Sequence, residues 1–222
     1  MWQQQALLVA HLLCVILWLG PDLVSWYVAW IVRRPSFDTS TRLVVAEVLR
    51  VLDQFSRTAT ILLIPTGIGL LRVSGYGLRN VPVELLWLAA GVCFLWALAS
   101  FWITGLQKSW TGMRPFALAE VGLKLAVAVA ALVVLGTSFG AGDTVSGDWL
   151  FVKIAIFAAI MFLSIIAFTL PNPFIILGEI AADGSTDERE SRFRVSLDRI
   201  MGIVVVINTS LIAMIIMAVI KV

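Results

Sequence analysis

Five residues near the start of the chain, His11, Cys14, Trp18, Asp22 and Ser25, recur at spacings that place them on one stripe of a helix. An imidazole, a thiol and a carboxylate on one stripe can ligate a metal, hold a proton or bind a polar ligand. His11 and Cys14, one helical turn apart, offer two ligands to a soft metal. Two ligands leave a zinc site incomplete and a copper(I) site marginal. His11 is the only histidine, so one chain cannot build a two-histidine site. The plainer role for such a residue is a hydrogen bond that packs two helices together.

Further ionisable residues, Arg57, Glu120, Lys124 and Lys153, fall in or at the edge of long apolar runs. A charge in hydrocarbon costs a few kcal/mol or more unless it is paired or hydrated, so each needs a reason. Counting depth along the runs places His11 and Lys153 at one level, near the end of the molecule that holds the N-terminus. Asp22, Arg57, Glu120 and Lys124 fall deeper, two acids with two bases, a set able to neutralise itself. Glu120 and Lys124 stand i,i+4 with the acid first, the favourable order for a pair on one helix. Gly20-Pro21 and Ile64–Gly67 (IPTG) are expected to break their helices, and breaks at membrane depth accompany buried sites. Asn208-Thr209-Ser210 is expected to supply hydrogen bonds between helices. The sequence has no phosphate loop, nucleophile elbow, zinc-protease motif or paired-cysteine motif.

The elements that must position these residues are set by composition. Of 222 residues 60% are hydrophobic and 14% charged, against about 25% charged in soluble domains. Mean hydropathy is +0.99. Such a chain cannot cover a water-soluble core, and its scattered basic residues exclude a nucleic-acid surface. The N-terminus lacks the basic start and cleavage site of a signal peptide, so it reads as an uncleaved first helix. Apolar runs at 6–31, 58–74, 83–105, 116–138, 149–170 and 200–220 are long enough to span hydrocarbon. The expected fold is all-α: a six-helix transmembrane bundle forming a single domain over residues 1–222. Polar stretches 41–57 and 187–199 extend two of the helices, with Ser40 or Thr41 as the expected N-cap of the first. Pro171–Pro173 (PNP) is expected simply to end the fifth helix. Trp2, Trp110 and Trp149 fall where an aromatic belt would lie.

Arg33, Arg34, Arg42, Arg50, Lys108, Arg114, Arg189, Arg192, Arg194 and Arg199 collect at one end of the bundle, against Arg72, Arg79 and Lys221 at the other. That asymmetry predicts that both termini face outward, toward a periplasm or its equivalent, and the membrane expected is a bacterial-type inner membrane.

Three segments, HLLCVILWLG at His11–Gly20, LLIPTGIGLL at Leu62–Leu71 and DWLFVKIAIF at Asp148–Phe157, resemble a superfamily of small bacterial membrane proteins. It comprises copper-resistance protein D-like proteins, a membrane protoporphyrinogen oxidase family and a branch of predicted integral membrane proteins without assigned function. The last branch is the most similar. The resemblance to the oxidase branch implies haem b as cofactor, with its histidine and lysine falling on His11 and Lys153, and Trp18 on the aromatic stripe below. This chain departs from the copper-resistance branch in having few histidines and methionines, and from the oxidase branch in the charged stretch before its last helix. Three functions follow as expectations. The first is a haem- or porphyrin-linked redox protein. The second is a permease for a metal ion or small solute, with Asp22, Arg57, Glu120 and Lys124 lining its path. The third is a non-catalytic accessory or scaffold subunit. The expected partners are the lipid bilayer and a homo-oligomer or larger membrane complex.

Overall fold

The computed structural model describes residues 2–78, 81–106, 114–141 and 148–220. Within them lie seven helices: α1 (Trp2–Val32), α2 (Thr39–Val73), α3 (Val83–Leu106), α4 (Arg114–Ala141), α5 (Asp148–Thr169), α6 (Pro173–Asp183) and α7 (Asp187–Ile220). Helices α1, α3, α4, α5 and α7 are long and apolar enough to cross a membrane. The chain is a multi-pass integral membrane protein with an all-α bundle. Helix α2, 35 residues long, is not among these five, because its polar residues lower its apolarity. It packs between α1 and α3, and that position accommodates its polar residues. Trp110, Arg79, Lys108 and Lys221, counted in the belt and charge readings, lie outside the described residues.

Three apolar clusters hold the bundle. The central one joins Cys14 and Trp18 of α1, Ala59 and Leu63 of α2, Ala128 of α4, Met161 of α5 and Leu211 of α7. A second fills the basic end, where Val32, Leu49, Ile176, Leu177, Phe193 and Leu197 bring α1, α2, α6 and α7 together. The third seats Ile61 of α2 on Cys93, Trp96 and Ala97 of α3. Outside these faces, leucine, isoleucine and tryptophan side chains such as Leu12, Ile16, Trp87 and Leu95 point outward, as a hydrocarbon surrounding requires.

Several local expectations are corrected. Neither Pro21 nor Pro65 breaks its helix; α1 and α2 run through both. A proline deletes one donor, and the surrounding packing holds the rest of the ladder in place. The N-cap of α2 is Asp38, whose carboxylate accepts from the Thr41 backbone N–H at 3.0 Å and from the Ser40 and Thr41 hydroxyls. Those hydroxyl bonds hold the Asp38 carboxyl well below the usual carboxylate range. The PNP segment ends α5 and also starts α6. Asn172 caps that helix by accepting from the Phe174 N–H at 2.9 Å, and Pro173 stands in its first turn, where its missing donor costs nothing.

One buried ion pair ties the basic end. Arg42, 2% exposed, donates Nη1 and Nη2 to the two carboxylate oxygens of Glu190 at 2.7 and 3.0 Å. Its Nε donates to the Val32 carbonyl at 2.9 Å, and its guanidinium lies 5.1 Å from the Phe193 ring. Ser185 adds a hydroxyl to Glu190 at 3.0 Å. The polar start of α7 is thereby fixed to the α1–α2 turn.

Candidate functional site

The stripe predicted on α1 is the buried face of that helix: Cys14, Trp18, Asp22 and Ser25 are buried, and His11 is half-buried above them. Three levels of polar groups follow this stripe along the bundle.

At the level nearest the N-terminus, His11 Nδ1 lies 3.0 Å from Thr66 Oγ1. Thr66 directs its hydroxyl at the carbonyls of Leu62 and Leu63, at 2.9 and 3.2 Å. A threonine has one hydroxyl proton, so towards His11 its oxygen is the acceptor. The neutral ring therefore carries its proton on Nδ1, and Nε2 keeps a lone pair for a ligand or a proton. Gly67 lies against the ring, where even a Cβ would make an ordinary contact, 3.5 Å from its Cε1. Lys153 of α5 is near enough for its charge to act on the His11 ring, although α1 and α5 make no direct backbone contact. Its ammonium lies 5.4 Å from the Trp149 ring, which meets Tyr76 edge-on at 5.6 Å. No carboxylate among the described residues pairs with Lys153. No hydrogen bond or ion pair joins His11 and Lys153, and the link between them is the longer-range electrostatic one. Thr66 and Tyr76 are additions that apolar-run reading had no means to select. Cys14 turns into the central apolar cluster, and among the described residues no three metal-ligating side chains converge.

The middle level centres on Asp22, 9% exposed. Ser56 of α2, Asn208 of α7 and Trp18, one turn earlier on α1, all act on its carboxyl. Ser56 also donates to the Trp18 carbonyl at 3.1 Å. Asn208 is 5% exposed, and neither its Oδ1 nor its Nδ2 completes a hydrogen bond, despite its closeness to Asp22. Of the segment expected to link helices, Asn208 faces Asp22 of α1, whereas Ser210 bonds the Val206 carbonyl of its own helix.

The deepest level is a closed ionic network. Lys124 reaches Glu120 at 2.8 Å, Arg57 reaches Glu120 at 3.3 Å, and Arg57 also reaches Asp53 at 2.8 Å. Glu120 is 4% exposed, so its two cations supply what its lost hydration did. The four residues expected to neutralise one another thus divide. Arg57, Glu120 and Lys124 do so with Asp53, while Asp22 stands apart, without a cationic partner among the described residues. Asp53 lies in the polar stretch 41–57 expected to extend a helix, but its pairing depends on where α4 packs.

No protein-family model, curated protein or solved structure matches this chain.

Proposed function

We propose that the protein is a haem- or porphyrin-linked redox protein of a bacterial inner membrane, with its ligand site at the His11–Lys153 level and that level on the periplasmic side. The observation that carries the reading is the lone pair of His11 Nε2, within the field of a lysine that has no acid partner among the described residues. An imidazole whose Nδ1 proton is tied to a neighbouring oxygen is oriented for ligation through Nε2. A half-buried ammonium without a carboxylate attracts an anionic group, such as the propionates of a porphyrin. Trp149 and Tyr76 supply flat apolar walls beside it. The donor set therefore fits an iron porphyrin, which when bound would supply one-electron chemistry. The chain's own part is to orient the ring through Thr66, to neutralise carboxylates with Lys153, and to hold the group at the membrane edge. The permease reading draws on the deepest level, where three of its four residues are locked in mutual pairs, the arrangement a structural role needs.

The test is an absorption spectrum of the detergent-purified protein, as isolated and after adding haemin. A Soret band that His11→Ala abolishes and Lys153→Ala shifts or weakens is the expected result. Absence of any band in the wild-type protein after haemin addition overturns the proposal.

A further inference from the structure

The middle level is chemically unlike the other two. Its carboxylate is buried at membrane depth, has no cation beside it among the described residues, and is faced by the Ser56 hydroxyl, the Asn208 amide and the Trp18 indole N–H. A buried carboxylate without a counter-charge is costly, and proteins normally neutralise it with a partner or a bound ion. The neighbouring charged groups do not serve. On α2 the facing charge is Asp53, whose carboxylate is held by Arg57 at 2.8 Å. On α7 the facing polar group is Asn208, and α1 contributes only Trp18.

Asn208 supplies the second observation. Its amide is buried and close to Asp22, yet both polar atoms lack partners. The amide faces the carboxylate without closing a hydrogen bond of normal length to it, so its oxygen remains available to a bound cation. We propose that Asp22, Asn208 and Ser56 form a binding site for one monovalent cation, a sodium ion or a proton, between α1, α2 and α7. The donors are hard oxygens: a carboxylate, an amide carbonyl and a hydroxyl. Such oxygens suit hard cations rather than soft ones. The free charge at the site is that of one carboxylate, which one monovalent cation balances. A divalent ion would call for a further uncommitted acid, and Asp53 is occupied. With a sodium ion, Asp22 and the Asn208 carbonyl oxygen would ligate directly. With a proton, the Asp22 carboxyl would donate to that same oxygen. Either occupant satisfies the orphaned amide oxygen and neutralises the carboxylate together.

The site is independent of any ligand at the His11 level, and the experiment keeps the two apart. The full-length protein, purified in detergent without sodium, is melted by tryptophan fluorescence at pH 6 and pH 8. Choline chloride holds the ionic strength, and sodium or potassium chloride replaces it stepwise. If sodium is the occupant, Tm at pH 8 rises saturably by about 3 °C or more. Potassium gives a smaller rise, and the sodium effect shrinks at pH 6 as protons compete. If the occupant is a proton, Tm rises from pH 8 to pH 6 equally in all three salts. Asp22→Asn removes either response, Asn208→Ala moves the midpoint at least several-fold to higher sodium or lower pH, and His11→Ala preserves the wild-type pattern. Should Asp22→Asn not fold, Asn208→Ala and Ser56→Ala carry the comparison. A wild-type Tm indifferent to cation and pH, or a response unchanged in Asn208→Ala and Ser56→Ala, overturns the proposal.

Discussion

Thr66 gives its only hydroxyl proton to the backbone of its own helix, and that commitment fixes which nitrogen of His11 carries a proton. Thr66→Val keeps the shape of the side chain but removes the acceptor, leaving the Nδ1 proton unpaired. A loss of about 1–2 kcal/mol in unfolding free energy is expected, with Thr66→Ser close to wild type, measured by denaturant or thermal unfolding in detergent. The histidine and the lysine were visible in the sequence because charge in an apolar run is conspicuous. Thr66 was not, because a threonine following a proline in a membrane helix reads first as backbone repair. Asn208 was visible as a polar residue, but its role depends on facing Asp22 rather than another helix's backbone. Spacing within α7 carries no information on that.

Among the elements, α6 is the one the sequence concealed. Its first residues, Pro-Asn-Pro, read as a stop signal. They also make a good start, because Asn172 accepts a first-turn N–H and Pro173 needs none. Hydropathy merges this helix with α5 into one long apolar stretch, and only the basic-end core shows why it turns aside. Ile176, Leu177 and Ile180 must meet Phe193 and Leu197 there. Between α6 and α7, Gly184 adopts φ 89° and ψ 159°, a conformation almost reserved for glycine. Gly184→Ala is expected to cost about 1–3 kcal/mol and to loosen the turn that brings Ser185 to Glu190. Thermal melts would show the loss, and faster proteolysis near residue 184 would show the loosening. Conversely, the two prolines read as breaks are held inside continuous helices. The composition of Gly20-Pro21 and of IPTG told where hydrogen bonds are missing, but not that the helices would tolerate it.

For the molecule as a whole, membrane class and helix order followed from composition and run length, since hydrocarbon allows few alternatives. The packing of α4 and α7 against α1 and α2 did not, because apolar faces of similar character carry no address. The ten basic residues at one end predict that both termini lie on the opposite side. Thiol-reactive labelling of single cysteines at Ser36 and Trp2, in a background with Cys14 and Cys93 replaced by alanine, should place them on opposite faces of oriented membrane vesicles. At the basic end, Glu190 hydrogen-bonds Arg42, which holds its carboxyl below the usual carboxylate range. A carboxyl lowered in the folded state contributes stability that is complete above its unfolded pKa of about 4.3 and is lost as pH falls through the lower folded value. Tm should therefore fall below about pH 4 more steeply in the wild type than in Glu190→Gln. At pH 7 that substitution leaves Arg42 buried and uncompensated, with an expected cost of about 3–5 kcal/mol.

The same clasp also orders events in time. Arg42 belongs to the second helix to be made, and Glu190 stands at the start of the last, 148 residues later. Until that late segment emerges, the α1–α2 turn has no acid to receive Arg42, and the apolar faces of Val32 and Leu49 lack the α6 and α7 side chains that cover them. A chain interrupted before residue 190 is thus left with an unpaired guanidinium and a bare greasy patch at the membrane surface. Closure of the basic end therefore waits on a segment synthesised long after the turn that it clasps.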